Sequence, residues 1–413
     1  MYSVRWWIVG LLNVGMIIAY VSRSNISVAL TVPEFIRTFH LSDLDRGILN
    51  SAFFWAYAVL QIPAGWLVDR YGVKMPYAIG FLAWCAASAA TALTQSLSQL
   101  IALRLILGVG ESIVAPASYK WIRYHFVEKE RGLAVGLYMA GTKIGPAIGP
   151  PLAAWLIVRY DWRLMFLLLG AGGLVWLLPW MLAIEDEKPA AAPSSDVAAA
   201  PAVSFSTLLA SPIIWGIVIA TFAYMYFVYF CMTWMPAYFV EQRHLVLSKM
   251  GLYTFFSFGG MAIVAVLGGW LADLLIARGR DAVTVRKWFT IAGFVIACTE
   301  LIGAQSPSVN VALVFSIVSL SGLGLATANY WALTQTVIPP AAIGRISGLQ
   351  NCAASLAGIV APILTGWLKQ RTGGYQAPMQ AIWFVLVAGI LAYLFMVREK
   401  YIPERMAAAA RAA

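Results

Sequence analysis

The chain reads as long apolar runs separated by short polar connections. Twelve such runs are predicted, at 6–31, 47–68, 73–94, 99–121, 132–157, 164–184, 211–238, 249–275, 287–304, 309–337, 346–369 and 378–397. Each approaches the roughly 20 residues an α-helix needs to cross the hydrocarbon of a bilayer. Glycines and prolines interrupt several, most densely at Gly145-Pro146 and Gly149-Pro150-Pro151 in run five. In lipid such breaks are tolerated where neighbouring helices satisfy the freed backbone groups. Between runs six and seven the pattern changes. Residues 185–205 open on Glu185-Asp186-Glu187 and continue in Ala, Pro and Ser, the composition of a flexible linker.

The two sides of that linker repeat each other. Gly65-Trp66-Leu67-Val68-Asp69 recurs as Gly269-Trp270-Leu271-Ala272-Asp273, and Gly136, Pro150, Leu152, Trp155 and Leu156 recur 212 residues later as Gly348, Pro362, Leu364, Trp367 and Leu368. The predicted fold is an all-α membrane protein of twelve transmembrane helices in two pseudo-symmetric bundles. An N-terminal six-helix bundle covers 1–184, a cytoplasmic linker 185–205, and a C-terminal six-helix bundle 206–413. Related bundles of this kind bind substrate near the bilayer midplane between them.

Composition agrees. Of 413 residues 61% are apolar and 11% charged, against about 45–50% and 25% in soluble domains. A cytosolic enzyme, a nucleic-acid binder and a disulfide scaffold are excluded. The net charge of +10 reflects cations in loops, so nucleic acid is not a partner. With both termini cytoplasmic, twice as many Lys and Arg fall inside as outside, which sets the orientation in a plasma (inner) membrane. No cleavage pattern follows the first run. Cys85, Cys231, Cys298 and Cys352 are isolated, and no metal-ligand spacing occurs. His40, His125 and His244 sit near loops without a nucleophile–base constellation, so the chain is not read as an enzyme. No P-loop is present, and any uphill work must draw on ion gradients. No cofactor is expected, the proton being the expected coupling ion, and a monomer is the expected state.

Gly65-x-Leu67-x-Asp69-Arg70-x-Gly72-x-Lys74, with a partial copy at Gly269, Asp273 and Arg286-Lys287, resembles the signature of the major facilitator superfamily. The resemblance assigns gating to Asp69, Arg70 and Asp273, whose charge pairs hold one conformation and break in the other. Within the superfamily the chain looks like the anion:cation symporter group of sugar-acid, hexuronate and phthalate transporters and sialin-like carriers. Tyr20-Val-Ser22-Arg23-Ser-Asn25, Tyr57-Ala-Val-Leu-Gln61-Ile-Pro63, Arg104-x6-Glu111-x4-Pro116 and Trp234-Met-Pro236-Ala-Tyr238 carry it.

Charge inside the membrane is costly and therefore informative. Arg23 lies mid-run, and a guanidinium holds a carboxylate through two parallel bonds. It is read as the substrate anchor, a role the resemblance also implies; the alternative is a structural ion pair with another helix, Glu111 among the partners. Arg104 and Glu111 stand seven residues apart, two helical turns, on one side of run four. The resemblance implies proton coupling at Glu111, modulated by Arg104; the alternative is a pair that braces the helix. Ser22 stands where many sugar-acid relatives carry Asp before the arginine, removing one proton carrier. Lys143 has no matching role in the family. It is read as a second cation for a dicarboxylate, a neutraliser of Glu111 or a proton shuttle, or as a structural pair. Tyr20, Tyr57, Gln61 and Asn351 complete the expected site. Glu300 and Lys120 are expected near the interface.

The predicted function is secondary active transport of an organic carboxylate, a sugar acid or dicarboxylate, by proton-coupled symport and alternating access. Ser22 keeps an uncoupled facilitator or anion exchanger as the alternative. A non-transporting membrane sensor is the alternative of a different class.

Overall fold

The computed structural model describes residues 2–185, 205–338 and 342–402. Among these, eleven helices are long and apolar enough to cross a membrane. They are span one (Val4–Ala29), two (Asp43–Tyr71), three (Lys74–Leu93), four (Leu97–His125), six (Trp162–Ala183), seven (Pro212–Thr233), eight (Leu247–Ala277), nine (Ala282–Gln305), ten (Val309–Val337), eleven (Arg345–Thr372) and twelve (Gln376–Met396). The remaining predicted run forms span five, the 32-residue helix Glu128–Arg159. At a rise of 1.5 Å per residue it is roughly 48 Å long, ample for a bilayer. Lys143 and the glycines and prolines of its middle dilute its apolar character. The chain is a helical polytopic membrane protein, and no strand occurs among the described residues. Most of the predicted linker, residues 186–204, lies outside the described residues.

Local chemistry sets the helix ends. Ser42 and Asp45 form a reciprocal capping box at the start of span two. Asp161 and Asp281 cap spans six and nine by accepting from the amides of Leu164 at 2.6 Å and Thr284 at 2.7 Å. Span four is two helices, Leu97–Glu111 and Val114–His125. Pro116 offers no N–H to the carbonyl of Ser112 and crowds it, so the helix yields there. The Ser112 hydroxyl instead donates to the Val109 carbonyl at 2.7 Å. Glu111 thus ends the first segment.

The chain divides into two compact units: Met1–Pro193 with Met232–Phe255 and Pro362–Arg371, and Ser194–Cys231 with Phe256–Ala361 and Thr372–Ala413. Two segments from beyond the linker therefore belong to the unit built on the first six spans. Large apolar side chains such as Ile62 and Leu182, 85% and 88% exposed, face outward as a lipid-facing surface requires.

Within the first unit span one lies along span five. Gly141, Gly145 and Gly149 form a stripe at four-residue spacing against it. A Cβ on Gly145 would collide with Tyr20, and one on Gly141 would stand 2.9 Å from the Asn13 carbonyl oxygen. This contact sets the position of Tyr20, one turn before Arg23. Gly145→Val forces the helices apart at a cost of about 1–3 kcal/mol. A lowered unfolding temperature in detergent is expected; an unchanged one would show that the contact does not hold the bundle.

Candidate functional site

Three buried charges meet where span one crosses span four. Arg23 and Arg104 are each 5% exposed and Glu111 is fully buried. Arg23 Nε donates to Glu111 Oε2 at 2.5 Å. The guanidinium also lies over three aromatic rings, Tyr20 and Phe53 at 4.5 Å and Tyr57 at 4.8 Å. Phe53 and Tyr57 stack on each other. These faces orient the cation electrostatically and shield it from lipid.

Arg104 does not pair with Glu111 among the described contacts. Its two terminal nitrogens donate to the carbonyls of Ser22 and Arg23, each at 3.3 Å. It therefore holds the stretch of span one that carries Arg23. The seven-residue spacing turns both Arg104 and Glu111 toward span one, but to different partners. Asn25, two residues on, donates to Ser88 of span three at 3.4 Å.

Two guanidiniums and one carboxylate leave a cation in excess. Neither guanidinium loses its charge in a protein, and an uncompensated buried charge is expensive. The Glu111 Oε1 atom is buried without a hydrogen-bond partner among the described residues. The constellation suits an added anion, or a proton on Glu111 that releases Arg23 to hold one.

Of the other expected site residues, Gln61 and Lys143 belong to the first unit. Gln61 is half-buried one turn beyond Tyr57. Lys143 is half-buried on span five, two residues before Gly145. Asn351 is exposed on span eleven and belongs to the second unit. Its neighbour Gln350 is buried and donates to the Thr221 hydroxyl at 3.1 Å.

The duplicated motif forms charge pairs within each unit. Asp69 takes Lys120 of span four at 3.1 Å, and Lys120 also donates to the Val68 carbonyl at 2.8 Å. In the second unit Asp273 pairs with Arg286 at 2.9 Å. Arg70 lies over Trp66 and Tyr71. Lys120 is thus an anchored partner of the motif.

Two features were missed from sequence. Glu300, expected to reach the interface, is 3% exposed, and its carboxylate accepts from Ser316 and Ser319 of span ten. A charge cluster also closes the other end of the first unit. Arg46 bonds Asp43 at 2.9 Å and Glu241 at 2.5 Å, and Lys369 bonds the same two carboxylates at 2.6 and 3.1 Å. Trp234 lies beneath both cations and donates to the Pro362 carbonyl at 3.0 Å. The cluster joins residues up to 326 positions apart.

Paired helical repeats, buried mid-span charges and a duplicated charge motif define a membrane transporter. The chain belongs to the Major Facilitator Superfamily, whose family model matches residues 12–362. It is 28% identical to the D-galactonate transporter of Escherichia coli O6:H1, covering 96% of each chain. It is 27% identical to the hexuronate transporter of Bacillus subtilis, covering 91% of this chain and 90% of that one. A probable sulfoacetate transporter of Cupriavidus necator is 29% identical over 95% of this chain and 94% of its own. Among solved structures, a bacterial homologue of the lysosomal transporter Spinster, inward-facing and occupied, matches with a TM-score of 0.75 at 17% identity, covering 98% and 97% of the two chains. That likeness concerns the fold.

Proposed function

We propose that this protein is a secondary active transporter of an organic carboxylate, a sugar acid or dicarboxylate, driven by proton symport. The observation that carries this reading is the buried Arg23–Glu111 pair beside Arg104. Relatives named for galactonate and hexuronate transport support the substrate class.

The chemistry is a competition. With Glu111 ionised, its carboxylate occupies Arg23. A proton on Glu111 removes that claim, and a substrate carboxylate takes the guanidinium through charge-assisted bonds. Proton and substrate anion then bind in mutual dependence, the thermodynamic content of coupling. Tyr20, Tyr57 and Gln61 are proposed to contact the rest of the substrate, joined by Asn351 from the second half. Lys143 is the proposed second cation if the substrate carries two carboxylates.

The protein is proposed to sit as a monomer in the inner membrane with both termini cytoplasmic. The halves 1–184 and 206–413, joined by 185–205, are proposed to rock in alternating access. Asp69, Arg70 and Asp273 act at the cytoplasmic gate. An anion exchanger is the second reading, because Ser22, 1% exposed, leaves Glu111 as the carboxyl of the described cluster.

Purified protein in proteoliposomes tests this reading with D-galactonate and a hexuronate as probes. Uptake driven by an inward proton gradient and abolished by a protonophore is expected. Exchange without accumulation would favour the second reading, and no flux of any organic acid would favour a sensor.

A further inference from the structure

Spans two, three and four enclose a groove of about 530 Å³ that is almost wholly carbon-lined. Its floor is the close contact of spans three and four: a Cβ on Gly80 would stand 2.6 Å from the Gly110 carbonyl oxygen, and one on Gly110 2.5 Å from that of Gly80. Its walls are long apolar residues, among them Leu67, Met75, Ile79 and Val109, all more than a third exposed. It runs from Tyr71 at the end of span two to Leu60, eleven residues back, or roughly 16 Å along a helix. That is about half of the ~30 Å hydrocarbon thickness, the depth of one leaflet.

The mouth is polar and cationic. Tyr71, which lines it, and nearby Trp66 are 58% and 54% exposed, as interfacial aromatic residues are. Arg70 lies over both rings, at 5.3 and 5.5 Å. Lys74 opens span three, immediately before the lining residues Met75 and Pro76. Asp69, the acidic neighbour of Arg70, is already taken by Lys120. Among the described contacts Arg70 and Lys74 make no ion pair, and both stand beside a one-leaflet acyl groove.

We propose that this groove is a site for an anionic glycerophospholipid of the surrounding bilayer, one acyl chain lying along spans two to four and the phosphate held by Arg70 and Lys74. The chain would bear on Gly110 and Ser112, the residues flanking Glu111 at the break of span four. Occupancy would then brace the segment that positions this carboxyl. The site itself does not depend on the transport reading.

The test uses the purified full chain and two lipid probes. Native mass spectrometry is read after titration with phosphatidylglycerol and, separately, phosphatidylcholine. About tenfold preferential retention of one phosphatidylglycerol is expected. Arg70→Gln with Lys74→Gln should abolish the preference, and Ala83→Trp, which fills the groove, should abolish retention. A diazirine placed mid-chain in phosphatidylglycerol needs no variant: its adducts should map to peptides containing residues 60–83 or 109–113. Equal retention of both lipids by the unaltered protein, or adducts confined to other spans, would overturn the proposal.

Discussion

Arg23→Lys is expected to fold, keep its charge and lose about 100-fold in affinity for the transported carboxylate. Lysine cannot reproduce the planar fork, and a hydrogen bond to a charged group contributes about 1.5–3 kcal/mol, where ~2.8 kcal/mol is about 100-fold. Arg23→Ala should go further and abolish measurable binding. It also strands Glu111, so a stability measurement must accompany it. Both losses should appear in equilibrium binding to detergent-purified protein. Retained affinity in Arg23→Ala would mean that another group holds the anion. The aromatic cage sharpens the expectation, since Tyr20, Phe53 and Tyr57 fix a planar guanidinium where the shorter-reaching tetrahedral ammonium of lysine would not sit flat.

Glu111→Gln should separate binding from energy conversion. The amide keeps the shape of the side chain and removes the competing negative charge. Arg23 is then available to substrate at any pH. Exchange of labelled for unlabelled substrate should persist, while accumulation under an inward proton gradient should fall to equilibration. In the unaltered protein, coupling of one proton per substrate would yield up to about tenfold accumulation per pH unit. Accumulation surviving in Glu111→Gln would move coupling to a different group.

The fold was largely legible in the sequence because the bilayer imposes its own length and polarity on each helix. Eleven of the predicted runs appear among the described helices as apolar spans, and the twelfth as the proline-rich helix Glu128–Arg159. Arg23, Arg104 and Glu111 were legible for a related reason: a charge in mid-span needs an explanation. Their pairing was legible only as alternatives, an Arg23–Glu111 pair beside an Arg104–Glu111 brace, and the structure has the first. Arg23 and Glu111 are 88 residues apart, and the choice of Glu111 for Arg23, with Arg104 sent to backbone carbonyls, follows from how spans one and four cross. The depth of Glu300 escaped for the same reason, since Ser316 and Ser319 on a neighbouring helix satisfy it. The Asp43–Arg46–Glu241–Lys369 cluster joins three distant stretches and has no local pattern. Lys143 was ambiguous in sequence because a lone lysine on a glycine-rich helix suits several roles.

The most direct test of the coupling mechanism is substrate affinity measured against pH in the unaltered protein and in Glu111→Gln. If the proton must displace Glu111 from Arg23 before substrate binds, affinity in the unaltered protein falls about tenfold per pH unit above the range where Glu111 takes up its proton, one proton per substrate. The variant should bind with the same affinity throughout. Parallel pH profiles in the two proteins would contradict the assignment of Glu111 as the coupling carboxyl.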